Sequence, residues 1–423
     1  MLQINFVREN NQKIIDRLKA RNFDASGIVE KIIDVDVKRR EAQKNLDNNL
    51  AKSNALARQI GELFKSGKKD EAEKVKEQTT QLKQENKELQ KELEKYKEEQ
   101  ETLLIQLPNI PHEAVKPGNT EDDNEIIFQS ETDLKYSKDL LPHWDLATQY
   151  DLVDFELGNK VTGSGFPVYK GKGAKLQRAL VSFFLDKAIE EGYAEYQIPL
   201  VVNEDSAFGT GQLPDKDGQM YHIPLDNLFL IPTSEVPVTN IYRDVILPES
   251  AFPVKCTAYS TCFRREAGSY GKDVRGLNRL HQFDKVEIVQ IVKPENSYDV
   301  LDEMVNYVTS LVKLLELPYR ITRLCGGDLG FAAAMTYDIE VFSSAQNKWL
   351  EVSSISNFEA FQANRMKLRY RDGQGKIHPA HTLNGSALAL PRIVAALIEN
   401  NQHENGINIP GALVPYTGFD SIL

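Results

Sequence analysis

The chain has 423 residues, of which 41% are hydrophobic, and a formal net charge of −11 at neutral pH. This length and apolar content allow two or three domains with a sizeable core. The acidic balance argues against general polyanion binding, because that requires basic groups to displace counterions from phosphates. No stretch approaches the roughly 20 apolar residues of a membrane span. Three cysteines without CxxC spacing, Cys256, Cys262 and Cys325, favour reduced thiols in a cytoplasmic protein.

The segment from Ile28 to Leu107 predicts two long helices. It has no proline and is rich in Lys, Glu, Gln and Leu, and a breaker at Ser66 to Asp70 divides it. In its second half, apolar residues recur every seven residues, the spacing of a coiled-coil seam, at Val75, Leu82, Leu89, Tyr96 and Leu103. We therefore expect an antiparallel coiled-coil hairpin over residues 28–104, within an N-terminal domain of residues 1–107.

The hairpin is locally basic despite the acidic chain. From Lys38 to Lys69 there are nine lysines and arginines but only three acidic residues. A two-helix arm without a partner more often serves oligomerisation or scaffolding. The charge instead favours contact with an RNA, which proteins recognise largely by shape and backbone.

A junction with two prolines, Leu107 to His112, opens a polar linker over residues 108–130, and a globular domain is expected over 131–423. There the pattern predicts a helix over 175–191 that stops at Gly192. The predicted strands are 196–202, 228–231, 255–263, 283–292 and 350–354. Two of these flank residues 267–279, which favours an antiparallel sheet and an α+β fold class with a helical arm.

The segment from Cys262 to Glu287 carries the most informative chemistry. The chain has neither a Walker A loop nor a GxGxxG element after a strand, so phosphate would have to be held by other groups. Because residues two apart on a strand share a face, Arg264 is expected beside Glu266, and Phe283 beside Lys285 and Glu287. An isolated Arg-x-Glu pattern favours a solvated hairpin. A cation, a carboxylate and an aromatic ring together favour a ligand site.

This segment resembles the second signature motif of the class II aminoacyl-tRNA synthetases, in the form that seryl-tRNA synthetases have. The resemblance covers nearly the whole chain, and its further elements are the arm, the Leu107–Pro111 junction, Pro199, Thr233–Glu235, Glu351–Ser354 and Thr382–Ser386 leading to Arg392. It implies a class II catalytic domain that activates L-serine with ATP to seryl-adenylate and pyrophosphate. Serine then passes to the 3′ end of tRNA(Ser) and, in bacterial members, also of tRNA(Sec).

The resemblance also assigns a nucleotide site. It implies that Arg264 holds the α-phosphate, Glu266 faces the adenine amino group, Phe283 stacks on the ring and Arg392 covers the nucleotide near the γ-phosphate. Arg264, Glu266 and Arg392 are thus the implied catalytic residues. A permanently charged guanidinium suits the charge that grows on the α-phosphate as the serine carboxylate attacks. The other implied ATP-binding residues are Arg265, Glu351, Val352, Ser353 and Ser354.

For Mg²⁺, the resemblance implies Glu351 and Ser354 as ligands. Residues three apart on a regular strand point to opposite faces, so shared coordination requires a bulge or a strand end. No zinc is expected, because His378 and His381 flank Pro379 in a loop without nearby cysteine and fit a structural pair better.

For serine, a small substrate, selectivity must come from hydrogen bonds to its hydroxyl. The resemblance implies that Glu287 and Ser386 bond the hydroxyl, while Thr233 and Glu235 hold the ammonium group, with Ser234 between them.

The resemblance also implies a homodimer, formed through residues 175–202. The chain departs from the family pattern at Gly165, which stands where the resemblance leads us to expect an arginine.

Three alternative functions stay open. They are a prolyl or threonyl enzyme with a different N-terminal half, a paralogue that loads a carrier protein and lacks the arm, and a coiled-coil adaptor without ATP binding.

Overall fold

The computed structural model describes residues 1–131, 139–215, 218–266 and 275–423. Its contacts divide the chain into two compact units, residues 1–19 with 23–108 and residues 20–22 with 109–423. Ala267 and Gly268 of the informative segment lie outside the described residues.

The first unit is helical, with α1 Ile4–Glu9, α2 Asn11–Leu18, α3 Ser26–Lys65 and α4 Lys69–Gln106. The two long helices pack against each other, and Gly67 takes a positive φ of 76° in the turn between them. Leu93 is buried against Ala42 and Leu46 of α3. The expected coiled-coil hairpin and its breaker are therefore confirmed.

The second unit mixes helices and strands. Its helices are α5 His143–Gln149, α6 Phe155–Val161, α7 Gly171–Glu190, α8 Glu204–Thr210, α9 Glu235–Asn240, α10 Ser297–Leu314, α11 Phe361–Met366, α12 Leu390–Asn400 and α13 Val414–Thr417. Its strands are β1 Glu125–Gln129, β2 Val153–Asp154, β3 Val168–Tyr169, β4 Ala194–Glu195, β5 Val201–Asn203, β6 His222–Ile223, β7 Leu228–Leu230, β8 Ile246–Pro248, β9 Val254–Phe263, β10 Gln282–Val292, β11 Tyr319–Arg323, β12 Met335–Ser343, β13 Lys348–Asn357, β14 Arg369–Arg371, β15 Ile377–Pro379, β16 His381–Ala389, β17 Gln402–His403, β18 Gly406–Asn408 and β19 Ser421–Ile422.

The central sheet has the strand order β1-β11-β12-β13-β16-β10-β9-β4. Every adjacent pair is antiparallel except β4 with β9. Lys285 and Glu287 of β10 lie on one face, and Val286 and Ile288, which alternate with them on the other face, are fully buried; α7 and α12 pack on this strand. The expected α+β class with an antiparallel sheet is confirmed.

The strand expected over residues 196–202 was wrong as a single element. β4 ends at Glu195 and β5 begins at Val201. The Tyr196 N–H still donates to the Thr257 carbonyl (2.8 Å), but Pro199 has no N–H and cannot continue a ladder. None of the helices in the described parts of the chain is long and apolar enough to cross a bilayer.

Candidate active site

A cavity of about 550 Å³ lies over β10, β13 and β16. Most of the residues proposed from the sequence line it, from elements far apart in the chain: Thr233, Glu235, Arg264, Glu266, Phe283, Glu287, Glu351, Val352, Ser353, Ser354, Ser386 and Arg392. Glu235, Glu351 and Ser354 also line an adjoining cavity of about 980 Å³. The structure thus gathers these side chains around one space.

Two proposed residues do not line this cavity. Ser234 is fully buried at the start of α9, where its hydroxyl shares a 2.6 Å hydrogen bond with the Ser260 hydroxyl. The Arg265 guanidinium lies 5.8 Å from the Tyr221 ring centroid. Both side chains thus contact neighbouring side chains, and their ligand roles stay predictions.

At one end of the cavity, the guanidinium of Arg264 lies 5.2 Å from the Phe283 ring centroid, a cation-π distance. β9 ends at Phe263, so the strand rule for side chains two apart does not apply to Glu266. That residue has φ 49° in the left-handed region, and its carboxylate accepts a 2.9 Å bond from Arg279 Nη1. The turned backbone still leaves Glu266 on the cavity wall.

Arg392 lies in the first turn of α12, directly after Pro391, as the sequence predicts. Its Nε donates to the Asn278 carbonyl at 3.1 Å, and its Nη1 donates to the Glu351 carbonyl at 2.7 Å. The same Nη1 lies 3.4 Å from the Glu351 carboxylate. The guanidinium therefore joins two walls of the cavity.

A β-bulge separates Glu351 from Ser354. Glu351 pairs with Glu340, and Ser353 pairs with Ile339, so Val352 is an extra residue in β13. All four residues line the cavity, but Val352 and Ser353 are buried, whereas Glu351 is exposed and Ser354 is half-buried. The bulge that shared coordination would require is present.

Asp338 pairs with Ser354 across the strands and is a residue that sequence reasoning missed. Its Oδ1 is buried without a hydrogen-bond partner among the described residues. Burial, followed by the nearby Glu351 charge, raises the pKa of Asp338 well above its usual value. These oxygen donors suit a hard cation such as Mg²⁺.

The opposite end of the cavity is polar and buried. Lys285 Nζ donates to the Thr233 hydroxyl at 2.9 Å, and that hydroxyl donates to Glu287 at 3.0 Å. Lys285 also forms an ion pair with Glu287, and their side chains are only 7% and 2% exposed. Glu287 stands directly opposite Ser386 across β10 and β16. Lys285 was recognised on this face but not as part of the site.

Glu235 is a buried carboxyl group in the same wall. It accepts a 2.6 Å hydrogen bond from Gln362 Nε2. Burial and then the neighbouring Glu287 charge raise the pKa of Glu235 to about 7. Gln362 comes from α11, and no local pattern in the sequence marked it.

The two histidines considered for zinc have separate partners. His378 Nε2 lies 2.8 Å from Asp372 Oδ2, and His381 Nδ1 lies 2.9 Å from the Ser297 hydroxyl. Burial lowers the pKa of His381 to about 4. Each ring is therefore engaged in the scaffold.

Gly165, where an arginine was expected, closely approaches His281. Its φ is +82°, and a Cβ atom there would lie 2.4 Å from His281 Cδ2. The Gly165 carbonyl accepts from the His281 N–H at 2.9 Å, and Phe166 stacks on the imidazole at 5.4 Å. Glycine is thus required by local packing beside β10.

Two family models match the chain. Residues 1–111 match the seryl-tRNA synthetase N-terminal domain, and residues 221–401 match the tRNA synthetase class II core domain (G, H, P, S and T).

Full-length relatives agree with these domain matches. A serine–tRNA ligase from Salinibacter ruber is 52% identical, with 100% of this chain and 99% of the relative covered. One from Mesoplasma florum is 43% identical over the same shares. The crystal structure of seryl-tRNA synthetase from Pyrococcus horikoshii, complexed with ATP, superposes with a TM-score of 0.94 at 32% identity, covering 100% of this chain and 99% of that one. The chain therefore belongs to the seryl-tRNA synthetases, the class II ligases that activate serine with ATP and join it to tRNA.

Proposed function

We propose that activation of L-serine takes place in the cavity over β10, β13 and β16, with ATP at the Arg264 end and serine at the Glu287 end. The observation that carries this assignment is that the two ends of one cavity are lined by different kinds of side chain. One end has an arginine over an aromatic ring, and the other has a buried network of Thr233, Lys285 and Glu287.

At the serine end, Glu287 and Ser386 are opposite each other and are proposed to bond the substrate hydroxyl. Glu235 and Thr233 are proposed to receive the ammonium group. An analogue without the hydroxyl would leave these buried polar groups unpaired, which is the physical basis of selectivity.

At the nucleotide end, Phe283 is proposed to stack on adenine, with Glu266 at the amino group and Arg392 over the nucleotide. Arg264 is proposed to hold the α-phosphate while the serine carboxylate attacks it and pyrophosphate leaves. No side-chain nucleophile is required, because alignment and charge stabilisation lower the barrier.

Glu351 and Ser354 are the proposed ligands of Mg²⁺, with Asp338 beside them. A bound Mg²⁺ would neutralise phosphate charge. Support comes from the bulge at Val352, which leaves both side chains on the cavity face.

The hairpin of α3 and α4 is proposed to bind tRNA(Ser), on the basis of its basic segment and its family match. A cytoplasmic homodimer, formed through residues 175–202, completes the proposal. The three cysteines are unpaired thiols, which suits that compartment.

The direct test is ATP–pyrophosphate exchange without tRNA, using serine, threonine, alanine, cysteine and proline. Exchange with serine alone supports the assignment of both ends. Exchange with proline or threonine would contradict Glu287 and Ser386 as serine readers, and no exchange at all would contradict the ATP site.

A further inference from the structure

A buried histidine–glutamate pair lies behind the proposed ATP site. His143 begins α5 and Glu399 lies near the end of α12, and both side chains are 0% exposed. His143 Nδ1 is 2.7 Å from Glu399 Oε1, which also accepts from the His143 N–H at 2.8 Å. Ser343 and Gln346 donate to the same carboxylate. A carboxylate with this many donors is held firmly in place.

The second ring nitrogen of His143, Nε2, accepts a hydrogen bond from the backbone. The N–H of Leu277 donates to His143 Nε2 at 2.8 Å. Nε2 must therefore be unprotonated, and the ring proton sits on Nδ1, where it is donated to Glu399. The glutamate fixes the tautomer, and the histidine fixes one backbone amide.

That amide belongs to the cavity wall. Residues 277–280 line the proposed ATP site. The Asn278 carbonyl accepts from Arg392 Nε at 3.1 Å, and the Asn278 side-chain amide donates to Gln346 Oε1 at 2.9 Å. Arg279 bonds Glu266. One short segment thus carries partners of two residues proposed to contact ATP.

Arg392 and Glu399 are seven residues apart on α12, nearly two full turns, and so share a face. One holds the Asn278 carbonyl directly, and the other holds the Leu277 amide through His143. Helix α12 therefore holds the backbone of Leu277 and Asn278 through two hydrogen bonds, one made directly and one through His143.

We propose that His143, oriented by Glu399, is a positioning residue for ATP: it fixes segment 277–280 and thereby the proposed contacts of Arg392 and Glu266 with the nucleotide. This inference rests on the proposed ATP site. It predicts that a substitution at His143 raises the KM for ATP and leaves the KM for serine nearly unchanged.

The test compares two substitutions at His143 in the full-length protein, by pyrophosphate exchange. The amide nitrogen of His143→Asn can replace Nδ1 toward Glu399, but its side chain is too short to accept from Leu277. The longer His143→Gln can place its oxygen near the Nε2 position. We expect the KM for ATP to rise about tenfold in the Asn variant, the equivalent of one hydrogen bond, and about threefold or less in the Gln variant. The KM for serine should stay within about twofold in both.

A second variant reaches the same contact from the other side. Gly276 has φ +70°, and a Cβ there would lie 2.2 Å from His143 Nε2. Gly276→Ala should therefore raise the KM for ATP without altering the histidine, and it carries the test if His143→Asn does not fold. His378→Asn, at a histidine bonded to Asp372 outside both cavities, is the matched control.

Equal changes in both KM values, or a lower active fraction with unchanged KM for ATP, would mean a purely structural role and overturn the inference. If the wild-type protein gives no serine-dependent exchange, the proposed function itself fails. These two failures are therefore distinguishable.

Discussion

Glu287 and Lys285 depend on each other for their burial in the serine end of the cavity. Their side chains form an ion pair that is almost inaccessible to solvent, and Thr233 links the two. Removing one partner from a buried pair leaves an uncompensated charge, which costs about 3–5 kcal/mol. Glu287→Ala therefore combines loss of a serine contact with loss of stability and of side-chain volume. Glu287→Gln leaves the same unpaired Lys285 charge but keeps the volume and a hydrogen-bonding end, so it isolates the role of the Glu287 charge.

Glu287→Gln keeps the side-chain volume but removes the charge. A hydrogen bond to a charged group is worth about 1.5–3 kcal/mol, so kcat/KM for serine should fall about 10- to 100-fold. The KM for ATP should change little. Pyrophosphate exchange measures both, and Glu249→Gln, which also removes a charge paired with a lysine but outside both cavities, is the control. Unchanged serine kinetics would remove Glu287 from the serine site.

The buried Glu235 predicts a pH dependence. Its pKa is raised to about 7, so the carboxylate that would receive the serine ammonium becomes protonated below that pH. We expect kcat/KM for serine to fall as the pH is lowered from 8 to 6, approaching tenfold per unit below the pKa. Because serine binding favours the ionised form, kcat itself should vary less.

Linkage gives the same titration a stability signature. A carboxyl group whose pKa in the folded protein lies above its ordinary value of 4.5 binds more protons in the folded state than in the unfolded state. Its stabilising contribution is therefore complete below pH 4.5 and is lost as the pH rises toward 7.

The kinetic prediction for Glu235 has a clear contrary outcome. A flat profile of kcat/KM for serine between pH 6 and 8 would contradict the role of Glu235, and the profile of kcat/KM for ATP is the internal comparison.

At the scale of elements, the regular structure and the grouping of most motif residues around one cavity could be predicted, whereas most of the irregular backbone could not. The heptad positions of α4 and the shared face of Lys285 and Glu287 on β10 follow directly from residue spacing. The left-handed Glu266 does not, because it lies beyond the end of β9 and nothing local requires that conformation. His143 and Glu399 are 256 residues apart, and only folding brings them together. Gly165 is understood only once His281 is seen against it.

The bulge in β13 carries a prediction about metal dependence. With Val352 as the extra residue, Glu351 and Ser354 present two oxygen groups to one side. Replacing a carboxylate ligand should weaken Mg²⁺ binding, so Glu351→Gln should raise the Mg²⁺ concentration for half-maximal exchange about tenfold or more. Titration of the exchange rate with Mg²⁺ measures this. The control is Glu121→Gln, at an exposed carboxylate of the adjoining cavity, which should not change the Mg²⁺ concentration for half-maximal exchange. Coincident curves for wild type and Glu351→Gln would exclude Glu351 as a ligand.

At the scale of the molecule, charge is divided unequally along an acidic chain. The net charge of −11 opposes RNA binding in general, while residues 38–69 form the basic exception.

The base of the hairpin is held by hydrogen bonds to one buried side chain, Asp36, which we call the Asp36 anchor. Asp36 is buried and accepts from Arg8 and Arg39, each at 2.9 Å, and from Gln100 of α4 at 3.2 Å. This anchor lets the distal hairpin be shortened without removing its base.

The last prediction separates serine activation from tRNA charging. Asn49 of α3 and Glu85 of α4 lie opposite each other at 3.5 Å, so residues 50–84 can be replaced by a short Gly/Ser linker while the Asp36 anchor and the Leu93 cluster remain. Pyrophosphate exchange should stay within about twofold, because the proposed catalytic residues are all in the second unit. Charging of tRNA(Ser) should fall on the order of 100-fold, since five of the nine basic residues of segment 38–69 are lost.

A charge variant of the intact hairpin tests whether the basic surface is the cause. Lys52, Arg58 and Lys65 are exposed on α3, and their replacement by glutamine should weaken charging and flatten its dependence on salt, because fewer counterions are displaced. The matched control replaces three exposed lysines of α4, Lys74, Lys83 and Lys87, in the same way. Equal losses in the two triple variants would attribute the effect to net charge alone. Undiminished charging by the shortened hairpin would rule out the distal arm as the tRNA-binding element and favour a scaffold role for it.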